Sequence, residues 1–129
     1  NAVSMALVDA GVPVTDLVCA CTAGAIDGAS MLDMNYIEET AQGPLLSLAV
    51  LPKTGNISSG SGKVCLLQME SRAPAELFKE IVSLATRGCK MVYETMQAEI
   101  KDSSMTAIEN RGAFNRTTEL PSSSSTSSF

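Results

Sequence analysis

The stretch SMLDMNYIEET, residues 30–40, brings together Asp33, Glu38 and Glu39. Carboxylates grouped in this way can hold a divalent cation or move a proton. The same grouping also suits a solvated loop. The other groups with chemical potential are four cysteines, Cys19, Cys21, Cys65 and Cys89. Cys19-Ala20-Cys21 is C-x-C and lacks the C-x-x-C spacing of redox and zinc motifs. Alternation along a strand would put both thiols on one face, which reads as buried free thiols of a reduced compartment. The chain has no His, so the usual neutral-pH acid–base group and the commonest metal ligand are missing. Carboxylates, Lys, Arg and Cys must supply any chemistry, and no metal or cofactor site is expected.

The elements that must position these residues come from a chain of 129 residues, 45% hydrophobic, with a net charge of −5 and a pI near 4.6. One domain of ordinary size fits this length. With two Tyr, three Phe and no Trp, its core must be built from Ala, Val, Leu, Ile and Met. The acidic balance argues against a broad basic surface for nucleic acid. No run reaches the roughly 18 apolar residues of a membrane span, and no signal peptide is visible, so no membrane partner is expected. The opening NAVSMALVDAG reads as the middle of a helix, so an N-terminally incomplete domain is expected. Asn56-Ile57-Ser58 and Asn115-Arg116-Thr117 fit the N-glycosylation pattern, and both read as chance matches.

Residues 1–10 predict a helix with Val3, Ala6, Leu7 and Ala10 on one stripe, stopped by Gly11 and Pro13. DLVCACTAGAI, 16–26, reads as a strand buried on both faces. Asp27-Gly28 predicts a two-residue hairpin turn, with ASMLDM as the return strand and Asp33 near its end. A loop then carries the acids to Gly43-Pro44. LLSLAVLP, 45–52, is a third strand ended by Pro52. Ser59–Gly62 is read as a flexible connection, and VCLLQMES, 64–71, as a fourth strand. Pro74 opens a long helix. Its stripe of Leu77, Ile81, Leu84, Ala85, Cys89, Val92, Met96 and Ile100 is the strongest periodic signal in the chain. Arg72, Lys79, Arg87, Lys90 and Lys101 are scattered, and Lys79, Arg87 and Lys90 could share the solvent side of that helix. From residue 104 the sequence reads as a disordered Ser/Thr-rich tail, 104–129. This gives an α+β domain over 1–103, a two-layer sheet with packed helices.

ALVDAGVPVTDLVCACTAG, DG, LDMNYIEE, LPKTGNI, LLQME and LFKEIVSLATRGCKMVYETM follow one another in the order and spacing of the second half of the RNase PH family. Residues 1 to 100 resemble that half, apart from one loop. Within the family the chain is similar to the eukaryotic RNA exosome ring subunit related to the archaeal catalytic subunit. The resemblance implies an RNase PH-like fold of the ribosomal protein S5 domain 2-like kind, paired with sister domains in a ring with a central RNA channel. It also implies a phosphorolytic or hydrolytic 3′-to-5′ exoribonuclease ancestry. Of the family's two aspartates, the first matches Asp33 and the second falls on Glu39. These two positions are the candidate catalytic residues of an ancestral pocket. The family's Arg-containing phosphate loop would lie just before Asn1. Glu keeps the charge but moves it about one methylene outward, and a misplacement of ~1 Å can cost ~100-fold in rate. SSGSGKVC, 58–65, is an insertion relative to the family. Its Gly62-Lys63 is followed by Val64, so the nucleotide-binding G-x-x-x-x-G-K-[ST] is absent.

Three readings follow. In the first, the chain is a non-catalytic core subunit of the RNA exosome, helping to shape the RNA channel for rRNA processing and mRNA decay. Its partners are then other RNase PH-like exosome subunits, RNA in the assembled channel and the exosome's hydrolytic nuclease, and its place is the nucleus and nucleolus and also the cytoplasm. In the second it is an active phosphorolytic exoribonuclease or tRNA nucleotidyltransferase, which needs inorganic phosphate or Mg²⁺. In the third it is a small α+β interaction domain.

Overall fold

Asp27 and Gly28 have φ of 51° and 81°, the left-handed pair that a type I′ turn requires. They join strand β1 (Cys19–Ile26) to β2 (Ala29–Leu32), with Ile26 opposite Ala29. The structure is a computed structural model that describes residues 1–40, 43–56 and 61–117. Its element order continues with the short helix α2 (Tyr36–Thr40), strands β3 (Leu45–Asn56) and β4 (Ser61–Met69), and helix α3 (Ala75–Thr117); helix α1 (Ala2–Asp9) precedes β1. The sheet is antiparallel throughout, in the order β2-β1-β3-β4. This is the expected α+β architecture of two layers.

One face of the sheet is covered by α3, which packs on β1, β2 and β3. Cys19, Ala23 and Ala25 of β1 and Leu46, Leu48 and Val50 of β3 meet Ile81, Ala85, Cys89 and Met96 of the helix. The predicted helical stripe supplies these contacts. Each large aliphatic side chain among them contributes about 1.5–3 kcal/mol by leaving water. The other face is covered more sparsely. Burial of β1 on both faces holds at Gly24, over which Met34 and Pro44 lie, while Ala20, Thr22 and Ile26 stay half-buried.

The N-terminal helix turns a different face inward from the one its stripe predicts. Val3 and Leu7 are exposed, and Ser4, Met5 and Val8 are the half-buried positions. Polar bonds decide this orientation. β2 pairs with β1 only from Ala23 onward, which leaves the edge open at Ala20 and at Val18 just before the strand. The Asn1 side chain donates to Ala20 O and accepts from Ala20 N, both at 2.8 Å, and Ser4 Oγ bonds Val18 in the same way. Satisfying a strand edge outweighs burying an apolar stripe that has no partner layer. Gly11 then ends α1 as predicted. It has φ 71°, its N–H donates to Val8 O, and the Val12 N–H donates to Leu7 O, the two bonds of a Schellman motif.

Three boundaries differ from the sequence expectation. β3 runs through Pro52 instead of ending there. Its pairing with β1 stops at Val50, so the missing Pro52 N–H breaks no bond on that side. β4 begins at Ser61, so half of the expected flexible connection is strand; residues 57–60 lie outside the described residues. The third difference is α3, which continues through 104–117, where disorder is expected. A helix that is already nucleated extends at little cost per residue, and nothing from Met105 to Arg111 is Gly or Pro. Residues 101–111 are all exposed, so packing adds nothing there. The rest of the expected tail, 118–129, lies outside the described residues. No described helix is long and apolar enough to cross a membrane.

Gly43 fixes the return of the acidic segment to the sheet. A Cβ at this position would collide with the Ala25 carbonyl oxygen, a backbone atom that cannot turn aside. Gly43→Ala is expected to lower stability by about 2 kcal/mol, read as a lower urea midpoint at unchanged m-value.

Candidate functional site

The acidic segment is built outward from two anchors. Asp33 leaves β2 with φ 56°, and its N–H donates to Thr22 O at 2.9 Å. Met34 follows as a buried side chain over Gly24. Asn35 then starts α2. Its Oδ1 accepts the N–H of Ile37 at 2.9 Å and of Glu38 at 3.0 Å, and Glu38 Oε2 accepts the Asn35 N–H at 2.8 Å. This reciprocal arrangement is a capping box. The expected loop is therefore a helical turn. Glu38 is half-buried and committed to holding that turn.

Asp33 and Glu39 are both exposed, and they line different depressions. Asp33 borders a cavity of about 480 Å³ with Asn1, Cys21, Thr22, Leu32 and Met91. Glu39 borders a depression of about 580 Å³ with Tyr36, Thr40, Leu45, Glu70 and Ser71. The fold does not bring the two sequence-nominated carboxylates into one pocket. Among the described residues no three Cys, Asp or Glu side chains are placed to hold a metal ion. The basic residues add no counter-surface to this region. Lys79 pairs with Glu76 at 3.3 Å on the exposed side of α3, where Arg87 and Lys90 are also exposed. Such an exposed pair contributes little.

Residues 16–88 match the model of the 3′ exoribonuclease family, domain 2, the C-terminal domain of RNase PH. The chain belongs to this family. The match begins before β1 and ends at Gly88 in α3, so it takes in the whole sheet and the acidic segment. The chain is similar to the exosome complex component RRP41 homolog of Arabidopsis thaliana, with 35% identity over 113 residues, 88% of this chain and 44% of that protein. It is 36% identical over 101 residues to the exosome complex component RRP41 of Bos taurus, 78% of this chain and 38% of that protein. It is 39% identical over 102 residues to the exosome complex component Rrp41 of Methanopyrus kandleri, 79% of this chain and 40% of that protein. The chain spans about two fifths of the length of these relatives.

Within this domain Cys19 is buried and Cys21 half-buried, on the shared face that strand alternation predicts. All four are free. Cys19 and Cys21 share the face of β1 under α3; Cys19 Sγ lies 3.9 Å from Met96 Sδ, and Cys89 Sγ donates to Leu48 O at 3.7 Å. Burial, with the neighbouring Cys21 and Cys19 thiols, pushes the Cys89 thiol up to about 12. Burial and the Asp33 carboxylate likewise raise Cys21. Cys65 is different. Ala49 pairs with Leu66 and Val50 with Val64, so Cys65 is the extra residue of a bulge on the exposed edge strand. A bulge of this kind protects an edge from pairing with other chains.

The residue that the sequence reading missed is Asn35. Asn35-Tyr36-Ile37-Glu38 has the cap-x-x-Glu spacing of a helix start, and that signal was available in the sequence. Removing it through Asn35→Ala is expected to cost about 1 kcal/mol, seen as faster amide exchange at Ile37 and Glu38. The buried thiol gives a second prediction. An unfolded Cys89 titrates near 9.0 and the folded one near 12. Its raised value contributes stability that is complete below pH 9 and is lost as pH rises toward 12. The urea midpoint should fall across that window, and Cys89→Ala should flatten the fall.

Proposed function

We propose that this domain belongs to a non-catalytic core subunit of the RNA exosome, helping to shape the channel through which RNA passes for 3′-to-5′ processing and decay. Its direct partners are then other RNase PH-like subunits, with the RNA handed to a separate hydrolytic nuclease. The reading also places the chain in the nucleus, the nucleolus and the cytoplasm. The family supports a ring subunit, and the names of the relatives support the exosome as its assembly. The observation that carries the non-catalytic part is the separation of Asp33 from Glu39 into different depressions. Two carboxylates act together on one phosphate only when both reach the same atoms, and Asp33 and Glu39 border different depressions. Proton transfer and metal bridging both need their groups within hydrogen-bonding reach of the same atoms.

Tagging the chain in its own cells, purifying its complex and identifying the subunits by mass spectrometry tests the assembly. RNase PH-like subunits should co-purify in stoichiometric amounts; their absence would leave the small interaction domain as the better reading. The purified complex should then shorten a 5′-labelled RNA equally well with and without inorganic phosphate, and Asp33→Ala should leave the rate unchanged. Phosphate-dependent release of nucleoside diphosphates that disappears in Asp33→Ala would overturn the non-catalytic reading in favour of a phosphorolytic exoribonuclease.

A further inference from the structure

Tyr36 and Ile37 are 83% and 80% exposed, the highest values among the exposed large hydrophobic side chains of the described chain. Single exposed apolar residues need no explanation. These two are adjacent, and the turn that presents them is held in place. The Asn35–Glu38 capping box fixes its start, Thr40 Oγ1 donates to Tyr36 O at 2.7 Å, and Met34 and Pro44 tie its flanks to β1. Presenting an apolar side chain on a rigid turn lowers the ordering cost of binding.

The surroundings fix the sign of what would bind. Tyr36, Glu39 and Thr40 fall on one side of α2 and border the same depression as Glu70. Among the described residues no Lys or Arg lines that depression, and neither Glu39 nor Glu70 has an ion-pair partner. Two uncompensated carboxylates beside an exposed phenol ring repel a phosphodiester and attract a cation. A guanidinium can donate to a carboxylate while it stacks on the ring, and an ammonium can do the same less specifically.

We propose that α2 is a docking surface for a basic segment of a partner protein, one in which an arginine or lysine flanked by apolar side chains lies against Tyr36, Ile37 and Glu39. The apolar pair supplies the anchor, and the carboxylates select the partner's charge. The surface does not depend on catalysis or on the exosome assignment.

The test uses the intact chain labelled for NMR, with three probes: a synthetic peptide of alternating Leu and Arg, the same peptide with Glu for every Arg, and a single-stranded oligoadenylate. The Arg peptide should shift the resonances of Tyr36, Ile37, Glu39 and Glu70, with weaker binding as salt is raised. Tyr36→Ala and Glu39→Lys should each weaken it at least about tenfold, with unchanged far-ultraviolet circular dichroism. The Glu peptide and the RNA should leave these resonances unmoved. The proposal is overturned if the Arg peptide does not shift them, if its shifts scatter over the whole surface, or if the Glu peptide or the RNA moves the same signals.

Discussion

At Gly88 helix α3 lies directly over β1 and β2. A Cβ there would stand 2.7 Å from Cys21 Sγ and 2.8 Å from Leu32 Cδ1, so the absence of a side chain sets the spacing of the two layers. The facing positions of β1 are correspondingly small, Cys19, Cys21, Ala23 and Ala25. Small residues on one layer and a bare backbone on the other allow a dense core with almost no aromatic content. The same spacing seals Cys19 and Cys89 from solvent. Cys19 and Cys89 therefore serve as small apolar fillers, and their raised titration is a consequence of the packing.

A second close approach governs the opposite face. Gly24 and Gly43 let Met34, Pro44 and the backbone of the returning chain lie directly against β1. This contact anchors both described flanks of the acidic segment, with Asp33 before Met34 and α2 after it. The two depressions that divide the carboxylates follow from it. Polar bonds perform the same service at the N-terminus, where Asn1 and Ser4 occupy the edge of β1 that β2 leaves free.

Much of this was legible in the sequence, wherever one local signal determined the outcome. Asp27-Gly28 fixed the first hairpin because few dipeptides tolerate two consecutive positive φ values. The stripe from Leu77 to Ile100 identified the packed face of α3 because a long helix with one apolar face has one way to bury it. The readings that differed depended on partners remote in sequence. Val3 and Leu7 looked like a core stripe, yet the orientation of α1 is set by Asn1 and Ser4 reaching Ala20 and Val18. Pro52 looked like a strand end, yet its tolerance depends on where β1 stops pairing. The extension of α3 beyond residue 103 followed from propagation along a helix already formed, which local composition does not reveal. At the acidic segment the type of each residue was plain, and its direction was not.

Direction is the property on which the reading of that segment turns. Glu38 and Glu39 are neighbours in sequence, and successive residues on a helix point about 100° apart. Asn35 needs a carboxylate three positions on to complete its box, and Glu38 fills that place. Once Glu38 is committed inward to the cap, the helix sends Glu39 toward Tyr36, Thr40 and Glu70. Asp33 remains on the strand side, beside Cys21 and Leu32. Shortening Glu39 by one methylene would change its reach but not the way α2 points it. The capping box thus explains more of the separation of the two carboxylates than the substitution of Glu for Asp does. It also leaves Glu39 beside an exposed Tyr36, where a charged side chain can meet a partner.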